Sequence, residues 1–167
     1  MLRLNMKYII LVISILLLSS CSNDHKHSNK CDIKDNKFIN KFFYNTENFE
    51  KIIHKLIADG YKKEDTNEKI DSNHLNNIIV LRKNESEIYY VDGDATAFYA
   101  EITDASLTFY NQIKIGDSIH DFAVKSGHSV SENCQTIAVY DDDGIGVINF
   151  QFINKHLFKV VLDFDVP

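Results

Sequence analysis

From Ile145 to Phe164 apolar and polar residues alternate with few breaks, and this period of two limits the fold more than any other feature. Ile148, Phe150 and Phe152 share one side of an extended segment, and Phe158, Val160, Leu162 and Phe164 share one side of the next. Asn154-Lys155-His156 turns the chain between them. Asp141-Asp142-Asp143-Gly144 turns it after an earlier apolar run, Cys134 to Tyr140. Three such segments in succession predict an antiparallel meander with one face buried. A half-apolar sheet needs a cover, so the cover has to come from elsewhere in the chain.

One cover is written just upstream. Ile113 and Ile115 end an extended segment, Gly116 frees the backbone to turn, and Asp117 and Ser118 are helix N-cap residues. Ile119, Phe122 and Ala123 then share a helical face until Gly127 stops the helix. A second helix is predicted from about Glu47 to Asp59, capped by Asn45 or Thr46. Its stripe is Phe49, Ile52, Ile53, Leu56 and Ile57, and Gly60 ends it. Residues 61–77 read as a charged surface loop with room for one extra short element. Strands follow at Asn77–Arg82, Glu87–Asp92 and Ala95–Thr103, the first two joined by a turn at Lys83-Asn84-Glu85-Ser86.

The element order is helix then three strands, twice over. The expected class is α+β, with two α-β-β-β units of about residues 37–104 and 105–167 and helices packed on one face of an antiparallel sheet. The expected domain is 37–167. Residues 21–36 are polar, without apolar periodicity, and read as a tether.

Residues 1–20 stand outside this plan. Arg3 and Lys7 precede an apolar run from Tyr8 to Leu18, which is too short for a spanning helix and has the form of a secretory signal. The Leu18-Ser19-Ser20-Cys21 that follows resembles the bacterial lipoprotein signal. That resemblance implies a lipid on Cys21 as the mature N-terminus, insertion of the acyl chains into a lipid bilayer, and a protein in the cell envelope. Ser22 after the cysteine implies the outer membrane, with the domain facing the periplasm. Cys31 and Cys134 remain. In an oxidising compartment a disulfide between them is the leading reading, and two buried thiols are the alternative.

The turn-helix from Ile115 also carries a resemblance. Ile115-Gly116-Asp117-Ser118, then Asp121-Phe122 and Gly127, is similar to the module of small envelope lipoproteins of the SmpA/OmlA outer-membrane assembly type. It is similar as well to β-lactamase-inhibitor proteins and to a stress-regulated lipoprotein family of unknown function. It covers about sixteen residues. His128-Ser129 stands where the assembly lipoproteins often carry Gly-x-Pro. In those families the motif is a folding device, so it implies a fold rather than a reaction.

Motifs of chemistry are sparse. There is no Gly-x-Ser-x-Gly, no His-Glu-x-x-His, no phosphate loop and no dinucleotide fingerprint. Asp24-x-x-His27 and His25-x-His27 have metal-ligand residue types, but two histidines without a third fixed ligand make a weak site. In a calcium-loop register Asp141, Asp143 and Gly144 would align, but Val139 and Phe150 would occupy ligand positions. His120 and His128 lack a third partner, and a Cys134–His128 pair lacks an oxyanion signature. No catalytic residue, cofactor or metal is therefore assigned. The net charge of −6 becomes more negative when Arg3 and Lys7 leave with the signal, which argues against nucleic acid and suits a basic protein partner. The expected function is non-catalytic binding of another envelope protein in an assembly or accessory role. The alternative is inhibition of, or immunity against, a basic secreted enzyme or toxin. The interface residues singled out are Tyr89, Tyr90, Asp92 and Asp94, with Tyr140, Asp141, Asp142 and Asp143, because tyrosines stand beside carboxylates there.

Overall fold

A computed structural model describes residues 29–42, 49–69, 77–92 and 97–164. The leader, Cys21, the His25/His27 pair, the Asn45/Thr46 caps and Asp94 lie outside the described residues. In chain order the elements are β1 (Lys30–Lys34), α1 (Asn36–Phe42), α2 (Phe49–Ala58), β2 (Lys62–Lys69), β3 (Asn77–Lys83), β4 (Ser86–Val91) and β5 (Ala97–Ile102). Then come a tight turn at Tyr110–Gln112, α3 (Ile119–Ser126), β6 (Thr136–Tyr140), β7 (Gly146–Ile153) and β8 (His156–Phe164). The class is α+β.

All eight strands form one sheet in the order β1-β6-β7-β8-β5-β4-β3-β2. Two meanders, β2–β5 and β6–β8, join where β5 pairs antiparallel with β8, Tyr99 opposite Asp163 and Ile102 opposite Val160. The second half is helix then three strands, as the sequence suggests. The first half carries four strands after α2, because residues 62–69 form β2 instead of a loop. The tether reading also fails for residues 30–36. Lys30–Lys34 pairs parallel with β6, and Asn36 opens a helix. Asp35 caps that helix, its Oδ1 accepting from the Phe38 N–H at 2.9 Å.

Period-two patterning determines which face is buried. Ile79, Leu81, Ile88, Ala100, Ile102, Ile137, Val139, Ile148, Phe150, Val160 and Leu162 form one core with Phe38, Ile39 and Phe42 of α1, Leu56 of α2, and Ile119 and Phe122 of α3. All three helices thus cover the same side. One inward expectation is corrected. A bulge between β7 and β8 leaves Phe158 unpaired, so Leu157 takes the core position and Phe158 stays 37% exposed.

Cys31 and Cys134 are joined as a disulfide with Cα atoms 5.8 Å apart. The bond ties edge strand β1 to the segment entering β6, its neighbour in the sheet.

Candidate functional site

The turn from Gly116 to Ser118 docks the helix layer onto the β7–β8 hairpin. The Gly116 N–H donates to Leu157 O (2.7 Å), the Leu157 N–H to Asp117 O (2.8 Å), and the Ile119 N–H to Lys155 O (3.0 Å). Gly116 has φ 97°, a left-handed conformation that favours glycine. Ser118 is the N-cap. Its Oγ accepts from the Asp121 N–H (3.0 Å), and Asp121 Oδ2 accepts from the Ser118 N–H (3.2 Å), a reciprocal capping box. Asp117 is not a cap. It is 5% exposed, and its carboxylate accepts from the Lys114 N–H (2.9 Å) and from Lys125 Nζ (2.7 and 2.8 Å). The side chains of Asp117, Ser118 and Asp121 are all engaged in folding.

A second polar cluster has the composition of a reactive site but not its geometry. Ser86 is fully buried, and its Oγ accepts from the backbone N–H groups of Thr103 (2.9 Å) and Asp104 (3.0 Å). Both lone pairs are engaged, so the hydroxyl is a structural anchor. Lys83 Nζ lies 2.8 Å from Asp104 Oδ2, and Ser106 donates its N–H (2.9 Å) and hydroxyl (2.8 Å) to Asp104 Oδ1. Burial pushes the Asp104 carboxyl up, but the Lys83 ammonium and the Ser106 donors outweigh it and hold it at about 2. A depressed folded value stabilises the fold above the unfolded value of 3.8, and the benefit is lost as pH falls toward 2. Asp104→Asn is expected to cost about 2 kcal/mol at pH 7 and to flatten the stability change between pH 4 and pH 2. Urea denaturation at both ends of that window is the check, and an unaltered acid slope in the variant would refute the assignment.

The sheet's other face carries the most exposed organised chemistry. No described helix lies on it. Arg82 of β3 pairs with Glu64 of β2 and, through Nε at 3.2 Å, with Glu87 of β4. Its Nη2 donates to the Tyr89 hydroxyl (3.3 Å), which donates to Glu87 Oε2 (2.6 Å). Next door the Tyr99 hydroxyl donates to Glu101 Oε1 (2.7 Å), and Lys159 of β8 pairs with Glu101. The rings of Tyr89 and Tyr99 meet edge to face with centroids 5.6 Å apart, and Phe98 lies 6.4 Å from Tyr89. Phe98 reaches this group because a bulge leaves it unpaired between Tyr99 and Ala97.

Ion pairs and hydrogen bonds link β2, β3 and β4 on one side and β5 and β8 on the other, and the Tyr89–Tyr99 ring contact joins the two groups. Glu87 and Glu101 sit directly opposite in the register, a repulsive pair by itself. Each has its own donors. The Tyr89 hydroxyl, with Arg82, lowers the Glu87 carboxyl, and Lys159, with Tyr99, lowers that of Glu101. The reciprocal effect is that the Glu101 hydrogen bond, with burial, pushes Tyr99 up to about 12. Both carboxylates and both phenols keep their charge states through the neutral range.

The interface residues expected from sequence divide. Tyr89 is in the ladder. Tyr90 is 2% exposed and packs in the helix-side core, because successive strand residues point to opposite faces, so it is withdrawn as an interface residue. Asp92 is exposed at the end of β4, 3.9 Å from Lys63 Nζ. Tyr140 ends β6, half-buried. Asp141 closes its own turn, accepting from the N–H groups of Ile145 and Gly146 at 3.0 Å each. Asp142 binds the first corner of the chain, pairing with Lys34 (3.1 Å) and donating its N–H to Asn36 Oδ1 (2.8 Å). Asp143 is exposed. The Asp92 and Asp143 turns lie at the same end of the sheet, four strands apart, or roughly 19 Å at the usual strand spacing.

His128 lies beside the N-cap of α1. Its Nε2 lies 3.3 Å from Asp35 Oδ2. Among the described residues no group of three or more His, Cys, Asp or Glu is placed to hold a metal ion. Sequence reasoning missed Glu64, Arg82, Glu87, Phe98, Tyr99, Glu101 and Lys159. The available signal was the same-face spacing of Glu87 with Tyr89 and of Tyr99 with Glu101. No family model, curated protein or solved structure matches this chain.

Proposed function

We propose that this protein is an envelope lipoprotein, anchored at the outer membrane by acyl chains on Cys21, whose domain works without catalysis by binding another protein in an assembly or accessory role. The observation that carries the reading is the ladder from Glu64 to Lys159. It presents tyrosine and phenylalanine rings among paired charges on a sheet face that no described helix covers, a composition that suits a protein interface. A related reading of the fold supports it. Helix α2 with β2–β5 and helix α3 with β6–β8 are each a helix followed by a meander, and we take them as two versions of one unit whose fusion creates the broad face. The exposed Asp92 and Asp143 favour a basic partner, which keeps open the second reading, an inhibitor or immunity protein against a basic enzyme or toxin.

Two measurements test this. Lipid anchoring adds about 0.8 kcal/mol per buried methylene, so Cys21→Ser is expected to move the protein from the membrane fraction to the soluble one, and continued retention would overturn the anchor. A photocrosslinking residue at Asp163, exposed on β8 opposite Tyr99, is expected to give a discrete protein adduct in intact cells, whereas the same probe at His120 on α3 gives none. Equal labelling from both positions, or none from either, would overturn binding through this face. An envelope protein in the adduct supports the accessory role, and a basic secreted protein supports the inhibitor.

A further inference from the structure

The two ends of the sheet are unlike. Lys30 of β1 pairs with Thr136, which pairs with Gln151, so the chain enters the domain at the end where the β7–β8 hairpin turns through Asn154 and Lys155. That hairpin lies two and three strands from β1, roughly 10–14 Å at the usual spacing. The acidic turns of Asp92 and Asp143 stand at the opposite end, roughly 25–30 Å away along the strand direction of β8. Eight residues separate Cys21 from Lys30, and a chain of that length reaches about 30 Å at full extension. A lipid on Cys21 would therefore keep the hairpin end, not the acidic end, next to the bilayer.

The hairpin end carries apolar residues where turns are ordinarily polar. Among the described residues five large apolar side chains are exposed. Ile57, Val124 and Ile145 stand apart from one another, on α2, on α3 and in the turn before β7. Ile153, 55% exposed, and Phe158 flank one tip. Ile153 pairs with His156, and Phe158 follows two residues on, left unpaired by the bulge. The lysines around them are neutralised. Lys155 pairs with Glu132 (2.7 Å), Lys30 with Asp32 (3.4 Å) and Lys159 with Glu101. Asp121 is held in its capping box. Exposed apolar side chains beside paired charges suit the boundary between headgroups and acyl chains, where the apolar groups leave water and the charges stay hydrated.

We propose that the β7–β8 tip is a second membrane contact, Ile153 and Phe158 entering the headgroup–acyl boundary of the bilayer that holds the Cys21 lipid. The inference rests on that anchor. In this pose the strands run away from the membrane, the ladder face stays open sideways to a protein partner, and Asp92 and Asp143 point away from the lipid. The test places a photocrosslinking residue at His156, exposed on the hairpin, in the full chain in intact cells, and reads phospholipid adduct by mass spectrometry. Adduct at His156 is expected at least fivefold above that from the same probe at Asp143. Ile153→Ser with Phe158→Ser should lower it at least threefold while the protein stays in the membrane fraction and its circular dichroism is unchanged. Equal phospholipid adduct at both positions, protein adduct alone at His156, or unaltered phospholipid adduct in the serine variant would overturn the contact. The last result would leave the tip near the bilayer through the tether only. Fractionation separates this contact from the anchor. Membrane-bound protein without phospholipid adduct overturns the contact alone, and soluble protein overturns both.

Discussion

Replacing Cys31 and Cys134 together by alanine is expected to destabilise the domain by about 2–4 kcal/mol, among the largest effects available to a change outside the aromatic core. The two cysteines are 103 residues apart in sequence. A cross-link closing a loop of that size removes much of the freedom of the unfolded chain, close to 5 kcal/mol in the chain-entropy limit, with measured values usually lower. The folded side of the balance points the same way. Strand β1 has five residues, lies at the sheet edge and pairs only with β6, in parallel, and only Cys31 and Ile33 face the core. Without the bond it is held by that short ladder and by the Asp35 and Asn36 contacts at its end. Urea denaturation should show a lowered midpoint with a similar slope, and hydrogen exchange should show residues 30–34 opening first. A loss under about 1 kcal/mol, or unchanged protection of β1, would show that the strand holds without the bond.

Phe150→Ala should cost about 3–5 kcal/mol, the range for removing a fully buried aromatic side chain. Phe150 on β7 is completely buried. Its ring centroid lies 4.7 Å from Phe122 of α3, 5.3 Å from Phe42 and 6.0 Å from Phe38 of α1. One side chain therefore joins two helices to the middle of the sheet, and its loss leaves a cavity that no single neighbour can fill. Phe42 also stacks on Phe109 at 4.8 Å, so the hairpin closed by the Thr108–Lys114 bridge should loosen as well. Thermal and urea denaturation measure the first effect. A Phe150→Leu variant, which keeps most of the volume, should recover a large part of the stability. Equal losses from leucine and alanine would mean that ring geometry, not volume, sets the cost.

How far the fold was readable depends on where each element's information lies. The last three strands and α3 are legible because their signals are local. Alternation marks Gly146–Ile153 and His156–Phe164, and Ser118, Asp121 and Gly127 mark both ends of the helix within ten residues. Strand β2 reads Lys-Lys-Glu-Asp-Thr-Asn-Glu-Lys, with no apolar period at all. It is extended because β3 offers it a ladder, and an all-polar edge strand resists pairing with other chains. Strand β1 was hidden in the same way, its two inward residues lost among charges. Local patterning also misplaced Phe158, since a bulge changes which residues face inward and is set by the pairing of two strands.

The candidate site shows the same division. By itself the sequence determined antiparallel meanders with one apolar face and helices to cover it, though not the parallel strand β1 that makes the sheet mixed. It also determined that Tyr89 and Tyr90 must point to opposite sides, because these follow from the periods of backbone geometry and from burial of apolar area. Only the tertiary structure decided which of the two tyrosines faces outward. It alone placed β5 beside β8, some sixty residues on, so that Glu101 meets Lys159 and the two meanders become one face. Those outcomes depend on strand order and on the fit of whole layers, which are settled by contacts between residues far apart in the chain and leave no periodic trace in either partner.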